Sequence, residues 1–202
     1  MTEDKKHLLA DDFEPSFKET MGGIRLPAVY WNVPIHLFIL IPVTSFIAYL
    51  AHRVDVYFGL EPLLPAPLNI VLFSVFFPLG IFIVWYVYGY LAIKGEGGPA
   101  THLGGTQKLV ETGPFAACRH PSIVGKFSGV LGFGFLVNSP IFLLVVIPAL
   151  TTYSLISVRF WQERLCEELW GDYYRGYRQR VPLVVPRPKA IAAIFARHLG
   201  KG

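Results

Sequence analysis

Three stretches of this chain carry no Asp, Glu, Lys or Arg: Leu26–His52, Leu68–Ile93 and Phe127–Val158, of 27, 26 and 32 residues. A helix crosses the hydrocarbon of a bilayer with about 20 mostly apolar residues. The first two stretches each predict one spanning helix. The third is too long for one helix and too short for two full ones, and Asn138-Ser139-Pro140 interrupts it. These are turn formers, and proline has no amide to continue a helix. The pattern predicts a tight helical hairpin, with a first limb from about Pro121 to Val137 and a second from Ile141 running past Arg159. Lys126 falls in the first limb, near an end from which its stem reaches the headgroups. Composition agrees. The chain is 53% hydrophobic and 16% charged, whereas soluble domains carry about 25% charged residues. A soluble globule of this length has too little interior for so much apolar surface. The expected fold is all-α: a polytopic membrane bundle of about four transmembrane helices, with a C-terminal helical hairpin and cytosolic C-terminal helices.

The charges orient these spans. With four spans, 17 of the 18 Lys and Arg residues fall on one side, and Arg53 alone falls on the other. Cytoplasmic segments carry the excess of basic residues, so an integral membrane protein with both termini cytoplasmic is expected. The net charge of +4 then reflects topology and anionic headgroups, and no nucleic-acid partner is expected. Residues 1–25 are polar, hold Asp11, Asp12 and Glu14, and lack an apolar core. They read as a mobile N-terminal arm and not as a signal peptide. Cys118 and Cys166 read as reduced cytoplasmic thiols, too few and too isolated for a metal site.

Two polar blocks flank the predicted hairpin. The first starts with five glycines in the eleven residues Gly95–Gly105, then reaches Gly113-Pro114 and Arg119-His120-Pro121. Glycines allow a backbone close to a ligand, or simply a flexible loop. Pro121 suits the first turn of the next helix, which puts Arg119 and His120 at that helix's entrance, a setting suited to an anionic group. His36, His52 and His102 read as polar caps. Gly125, Gly129 and Gly132 share a helix face that permits close packing in lipid. The second block, Arg159–Pro182, spaces Arg159, Glu163 and Glu167 by four, with Arg164 and Glu168 as a second pair. Such spacing makes a salt-bridged solvent helix, yet Phe160, Trp161, Leu165, Leu169 and Trp170 interleave with the charges, which predicts packing against something. Tyr174 and Tyr177 continue the aromatic run after Gly171. Ala190–Leu199 reads as a short amphipathic helix on the membrane.

At these blocks the chain resembles the isoprenylcysteine carboxyl methyltransferase and phospholipid methyltransferase superfamily of integral membrane enzymes. The residues that carry the resemblance are Leu109-Val110, Gly113-Pro114-Phe115, Arg119-His120-Pro121, Gly125, Glu163, Trp170-Gly171, Tyr174, Tyr177, Val181-Pro182 and Pro186. The likeness covers roughly residues 94–188. It implies transfer of a methyl group from S-adenosylmethionine to a lipid-like or apolar acceptor, with O-methylation of an isoprenylcysteine-like carboxylate favoured. The resemblance implies a cofactor site lined by Leu109, Val110, Gly113, Phe115, His120, Pro121, Glu163 and Tyr174. Glu163 would face the cofactor's amino group, and Arg119 or Arg159 would hold an anionic acceptor group. The chain is expected to divide into the polar arm 1–25, two transmembrane helices in 26–93 and a core in 94–202 that the resemblance makes methyltransferase-like. The aromatic faces of Trp161, Trp170, Tyr174 and Tyr177 suit a sulfonium through cation–π attraction. The chain departs from the family pattern at Ala116-Ala117, Ser122-Ile123 and Gln162. Sterol reductases, which use a nicotinamide cofactor, are similar in the Arg-His-Pro hairpin and the C-terminal Tyr and Pro pattern but are much longer. A non-enzymatic membrane protein such as a small transporter subunit would place charges on a pathway within the spans, and the three long stretches have none; a non-catalytic membrane protein of the same fold is the further alternative.

Overall fold

A computed structural model describes residues 9–10, 13–23, 36–98 and 105–199. The side chain of His36 and all of His102 lie outside the described residues. Every described element is helical apart from two isolated bridges, Leu9 with Leu109 and Gly98 with Gly105. In chain order the helices are α1 (Phe17–Gly22), α2 (Ile41–Phe58), α3 (Leu68–Lys94), α4 (Pro114–Ala117), α5 (Pro121–Val137), α6 (Ile147–Ser157), α7 (Glu163–Arg180) and α8 (Pro188–Leu199). A π-helical turn, His36–Leu40, leads into α2. Two more, Phe142–Val146 and Val158–Gln162, flank α6 and join it to α7.

Among the described residues, three runs are long and apolar enough to cross a membrane: Phe38–Phe58, Leu68–Lys94 and Phe142–Arg180. α5 is apolar too, but with 17 residues it sits at the short end of what spans a bilayer. The outward faces of these runs are hydrophobic: Phe46, Tyr57, Leu144 and Tyr153 are all exposed. In water such surface would be costly, and lipid removes that cost.

The chain divides into two compact units. One consists of Pro34–Phe82 and Gly125–Gln162. Its core sets Ala48 and Ala51 of α2 among Phe142, Leu143 and Ile147. Small residues allow close helix contact here, as the Gly125, Gly129 and Gly132 spacing predicts. A Cβ on Gly80 of α3 would lie 2.3 Å from the Gly129 nitrogen, and one on Gly132 would lie 2.5 Å from the Phe77 nitrogen. Ser128 donates its hydroxyl to the Phe76 carbonyl at 2.9 Å. The hairpin turn is built by its own polar residues. Asn138 takes a positive φ of 55°, accepts from the Leu64 amide at 3.0 Å and donates to the Leu64 carbonyl at 2.8 Å. Ser139 accepts from the Phe142 amide at 3.0 Å, and Asp55 accepts from the Ile141 amide at 3.1 Å. Asn138→Ala removes both Leu64 bonds and puts alanine at positive φ, so it is expected to cost about 1–3 kcal/mol, read as a lower melting temperature in detergent.

The other unit consists of Met1–Val33, Ile83–Val124 and Glu163–Gly202. The polar arm is not loose along its described part. Ser16 and Glu19 form a reciprocal capping box at the start of α1, which satisfies two amides at the helix end. Thr20 is fully buried. Trp85 donates to the Met21 carbonyl at 3.2 Å, and Phe17 stacks on Tyr86. Mobility, the expectation from polarity alone, gives way because these residues find partners on the final turns of α3. Two buried clusters complete the unit. One gathers Val87, Tyr88 and Ala92 of α3 with Phe115. The other gathers Leu109, Trp170, Tyr174, Tyr177 and Val181 with Leu9 and Cys166.

Candidate functional site

The first wall of the site follows from Gly113. This residue takes φ 55° and ψ −130°, opens α4, and hands over to Pro114 in the first turn. Tyr90 packs directly on it, since a Cβ on Gly113 would come within 2.4 Å of the Tyr90 ring. The Tyr90 hydroxyl shares a 2.8 Å hydrogen bond with Thr112 and donates to Glu14 at 2.7 Å. Leu109 and Val110, just before the turn, are both buried. The Phe115 carbonyl accepts from the Tyr177 hydroxyl at 2.7 Å. Cys118 is completely buried, and that burial pushes its thiol up to about 11, which favours the protonated form.

The second wall is the tail after α7. The Arg119 amide donates to the Pro182 carbonyl at 2.9 Å, the His120 amide to the Leu183 carbonyl at 3.0 Å, and the Arg187 amide to the Ala117 carbonyl at 3.0 Å. The Val181-Pro182 and Pro186 pattern thereby acquires a physical meaning. The tail lies outside any helix, and its carbonyls pair with the Arg-His-Pro backbone.

Between these walls lies an ion-pair network. Arg119 donates Nε to Glu163 Oε1 at 2.7 Å and Nη2 to Oε2 at 2.9 Å, a bidentate fork. Its Nη1 donates to the carbonyls of Arg178, at 2.9 Å, and of Val181. The Glu163 side chain is 1% exposed, and the Tyr174 hydroxyl donates to its Oε1 at 2.7 Å. Arg178 pairs with Glu167 and places its Nε 3.5 Å from Glu163 Oε2. Tyr174 and Arg178 come back toward Glu163 because Gly171 breaks α7 with φ 54° and ψ −125°. A buried carboxylate held by a guanidinium fork and a phenol is ionised and oriented. His120 Nε2 stands 3.5 Å from Glu163 Oε1, is buried, and makes no hydrogen bond among the described residues.

Arg119, His120, Glu163 and Tyr174 are thus brought together, and Pro121 opens α5 beside them. Leu109 joins the aromatic cluster of Tyr174 and Tyr177. Arg159 is an exposed residue of the other unit. Glu163 is buried and not on a solvent face, whereas Arg164 and Glu168 do form the exposed pair that their spacing predicts, at 3.6 Å. Trp161 is exposed, while Trp170, Tyr174 and Tyr177 pack on one another. Sequence reasoning missed Tyr90, Thr112, Glu14 and the role of Arg178. Tyr90 lies inside a charge-free run, where its hydroxyl leaves no pattern, and Glu14 lies 76 residues from it.

Comparison with known proteins adds a family match. Residues 68–173 match the family model described as phospholipid methyltransferase. The protein-S-isoprenylcysteine O-methyltransferase of Mus musculus is 35% identical over 92 residues, covering 43% of this chain and 30% of that protein. Its Homo sapiens counterpart is 33% identical over 92 residues, with 43% and 30% covered. The Schizosaccharomyces pombe protein of that name is 33% identical over 84 residues, with 39% and 33% covered. The chain therefore spans about a third of the length of the curated relatives it matches.

Proposed function

The chain belongs to the phospholipid methyltransferase family, and from that premise we propose that it is an integral membrane methyltransferase using S-adenosylmethionine. The favoured acceptor is a lipid-like carboxylate of the isoprenylcysteine kind, the substrate class in the names of its relatives. Four spans with both termini cytoplasmic complete the reading: α5 makes the fourth with a hairpin across Asn138, and α7 and α8 follow on the cytosolic side. Residues 1–25, 26–93 and 94–202 then serve as arm, paired spans and methyltransferase core.

The observation that best supports a bound donor is His120, whose buried Nε2 has no hydrogen bond among the described residues. Buried polar atoms are nearly always satisfied, so an orphan beside an ionised carboxylate suits a polar ligand. Leu109, Val110, Gly113, Phe115 and Pro121 would supply the apolar surround, with Tyr174 orienting Glu163. The donor, when bound, supplies an electrophilic methyl group on a sulfonium. A carboxylate acceptor is already anionic, so the chain needs no general base and has only to bind and align. Arg119 already directs four of its N–H donors to Glu163 and to two carbonyls, out of five on a guanidinium. It therefore orients Glu163. Glu163, held ionised by Arg119 and Tyr174, would face the donor's amino group.

Calorimetry on the protein purified in detergent tests this reading. Binding of S-adenosylhomocysteine without binding of NADPH is the expected result. The reverse pattern would identify a reductase, and binding of neither would remove the enzymatic reading. His120→Ala is expected to weaken S-adenosylhomocysteine binding about tenfold, the loss of one buried hydrogen bond, with the melting temperature unchanged.

A further inference from the structure

The described part of the N-terminal segment packs along the end of α3. Met21 meets Trp85, Phe17 meets Tyr86, Glu14 meets Tyr90, and the Phe13 carbonyl accepts from Lys94. Gly23 lies so close to Gly89 that a Cβ would come within 2.4 Å of its carbonyl oxygen. The segment then crosses to the site. The Ala10 amide donates to the Leu109 carbonyl at 3.1 Å, Leu9 bridges to Leu109, and Leu9 packs on the cluster that holds Tyr174 and Tyr177.

These contacts serve groups that need them. Tyr90 and Lys94 are 1% and 5% exposed, and buried hydroxyl and ammonium groups are costly without partners. The segment brings a carboxylate to one and a carbonyl to the other. Leu109–Gly113 lies outside any helix, so its shape depends on what holds it. Ala10 holds its first carbonyl, and the Glu14–Tyr90–Thr112 chain of hydrogen bonds holds its far end. The family match starts at residue 68, so this segment lies outside the matched region.

We propose that residues 9–10 and 13–23 form a strap that holds the Leu109–Gly113 wall of the donor site in place, with Glu14 and Tyr90 as its positioning residues. The role of that wall in donor binding rests on the functional reading above. The strap itself is tested independently of any donor. In the full chain, Tyr90→Phe keeps the ring that packs on Gly113 and removes only the hydroxyl linking Glu14 to Thr112. A second variant lacks residues 1–12 and so loses the Leu109 contacts. Hydrogen exchange at Leu109–Gly113 is expected to speed up about tenfold in both variants, as local opening becomes easier, while exchange in α2 and α6 stays as it was. S-adenosylhomocysteine affinity is expected to fall about tenfold with the loss of the positioning bonds. Glu14→Ala should behave like Tyr90→Phe, and Glu14→Gln, which keeps an acceptor for the Tyr90 hydroxyl, should restore both readouts. Unchanged exchange at Leu109–Gly113 in both variants overturns the strap, as does a loss spread evenly over the whole chain. If the intact chain binds no S-adenosylhomocysteine, the functional reading fails, and the exchange comparison alone decides on the strap.

Discussion

Arg119→Met is expected to destabilise the protein by about 3–5 kcal/mol, because it strips a buried carboxylate of its principal counter-charge. The Arg119 and Glu163 side chains are 8% and 1% exposed, so water cannot take over the lost bonds. The same change releases the carbonyls of Arg178 and Val181 and loosens the tail that pairs with the Arg-His-Pro backbone. Donor binding is expected to fall below detection. Arg119→Lys keeps the charge but not the fork, so an intermediate loss is expected. The double variant Arg119→Met, Glu163→Leu separates the two roles. Removing both charges from a buried pair restores much of the stability, yet donor binding should stay absent because the carboxylate is gone. Denaturant titration in detergent, paired with calorimetry, reads both quantities. An Arg119→Met protein that melts like the parent would show that the pair does not hold the unit together.

Gly113→Ala comes next in size. The residue sits at φ 55° and ψ −130°, a conformation that costs a side-chain-bearing residue about 1–3 kcal/mol. Its new Cβ would also stand 2.4 Å from Tyr90 Cζ and 2.7 Å from the Tyr90 hydroxyl, and such overpacking adds about 1–3 kcal/mol. A total loss of about 2–6 kcal/mol is expected, with weaker donor binding as Tyr90 is pushed off Thr112 and Glu14. Gly176→Ala is the matched control. It lies in α7 with nothing within 4 Å of an added Cβ, so a change of under about 1 kcal/mol, toward greater stability, is expected. Equal losses from the two substitutions would contradict the packing described for Gly113.

Much of the site was legible because its signals are local. Arg119-His120-Pro121 sits where a proline opens a helix, and α5 has the limits Pro121–Val137 that the apolar run and the Asn138 turn predict. Glu163 stood out among aromatics, although its spacing pointed to a solvent face. Spacing describes one helix at a time. It could not show that Gly171 breaks α7 and returns Tyr174 and Arg178 to Glu163. The guanidinium fork was equally hidden, because Arg119 and Glu163 are 44 residues apart and the resemblance assigns each to a ligand group, not to the other.

What the sequence alone determined is the medium and the material. Long charge-free runs require helices, since only a helix satisfies its own backbone in lipid, and the family motif marks the region where chemistry is expected. The tertiary structure decided which charges are buried and what each one holds. Arg119 became an orienting group, because its donors meet acceptors from two distant segments. The polar arm, which by composition alone had no reason to order, became a docked segment because Tyr90 and Lys94 offer it buried partners. Composition measures how well a segment is solvated by itself, and only the fold determines what it meets.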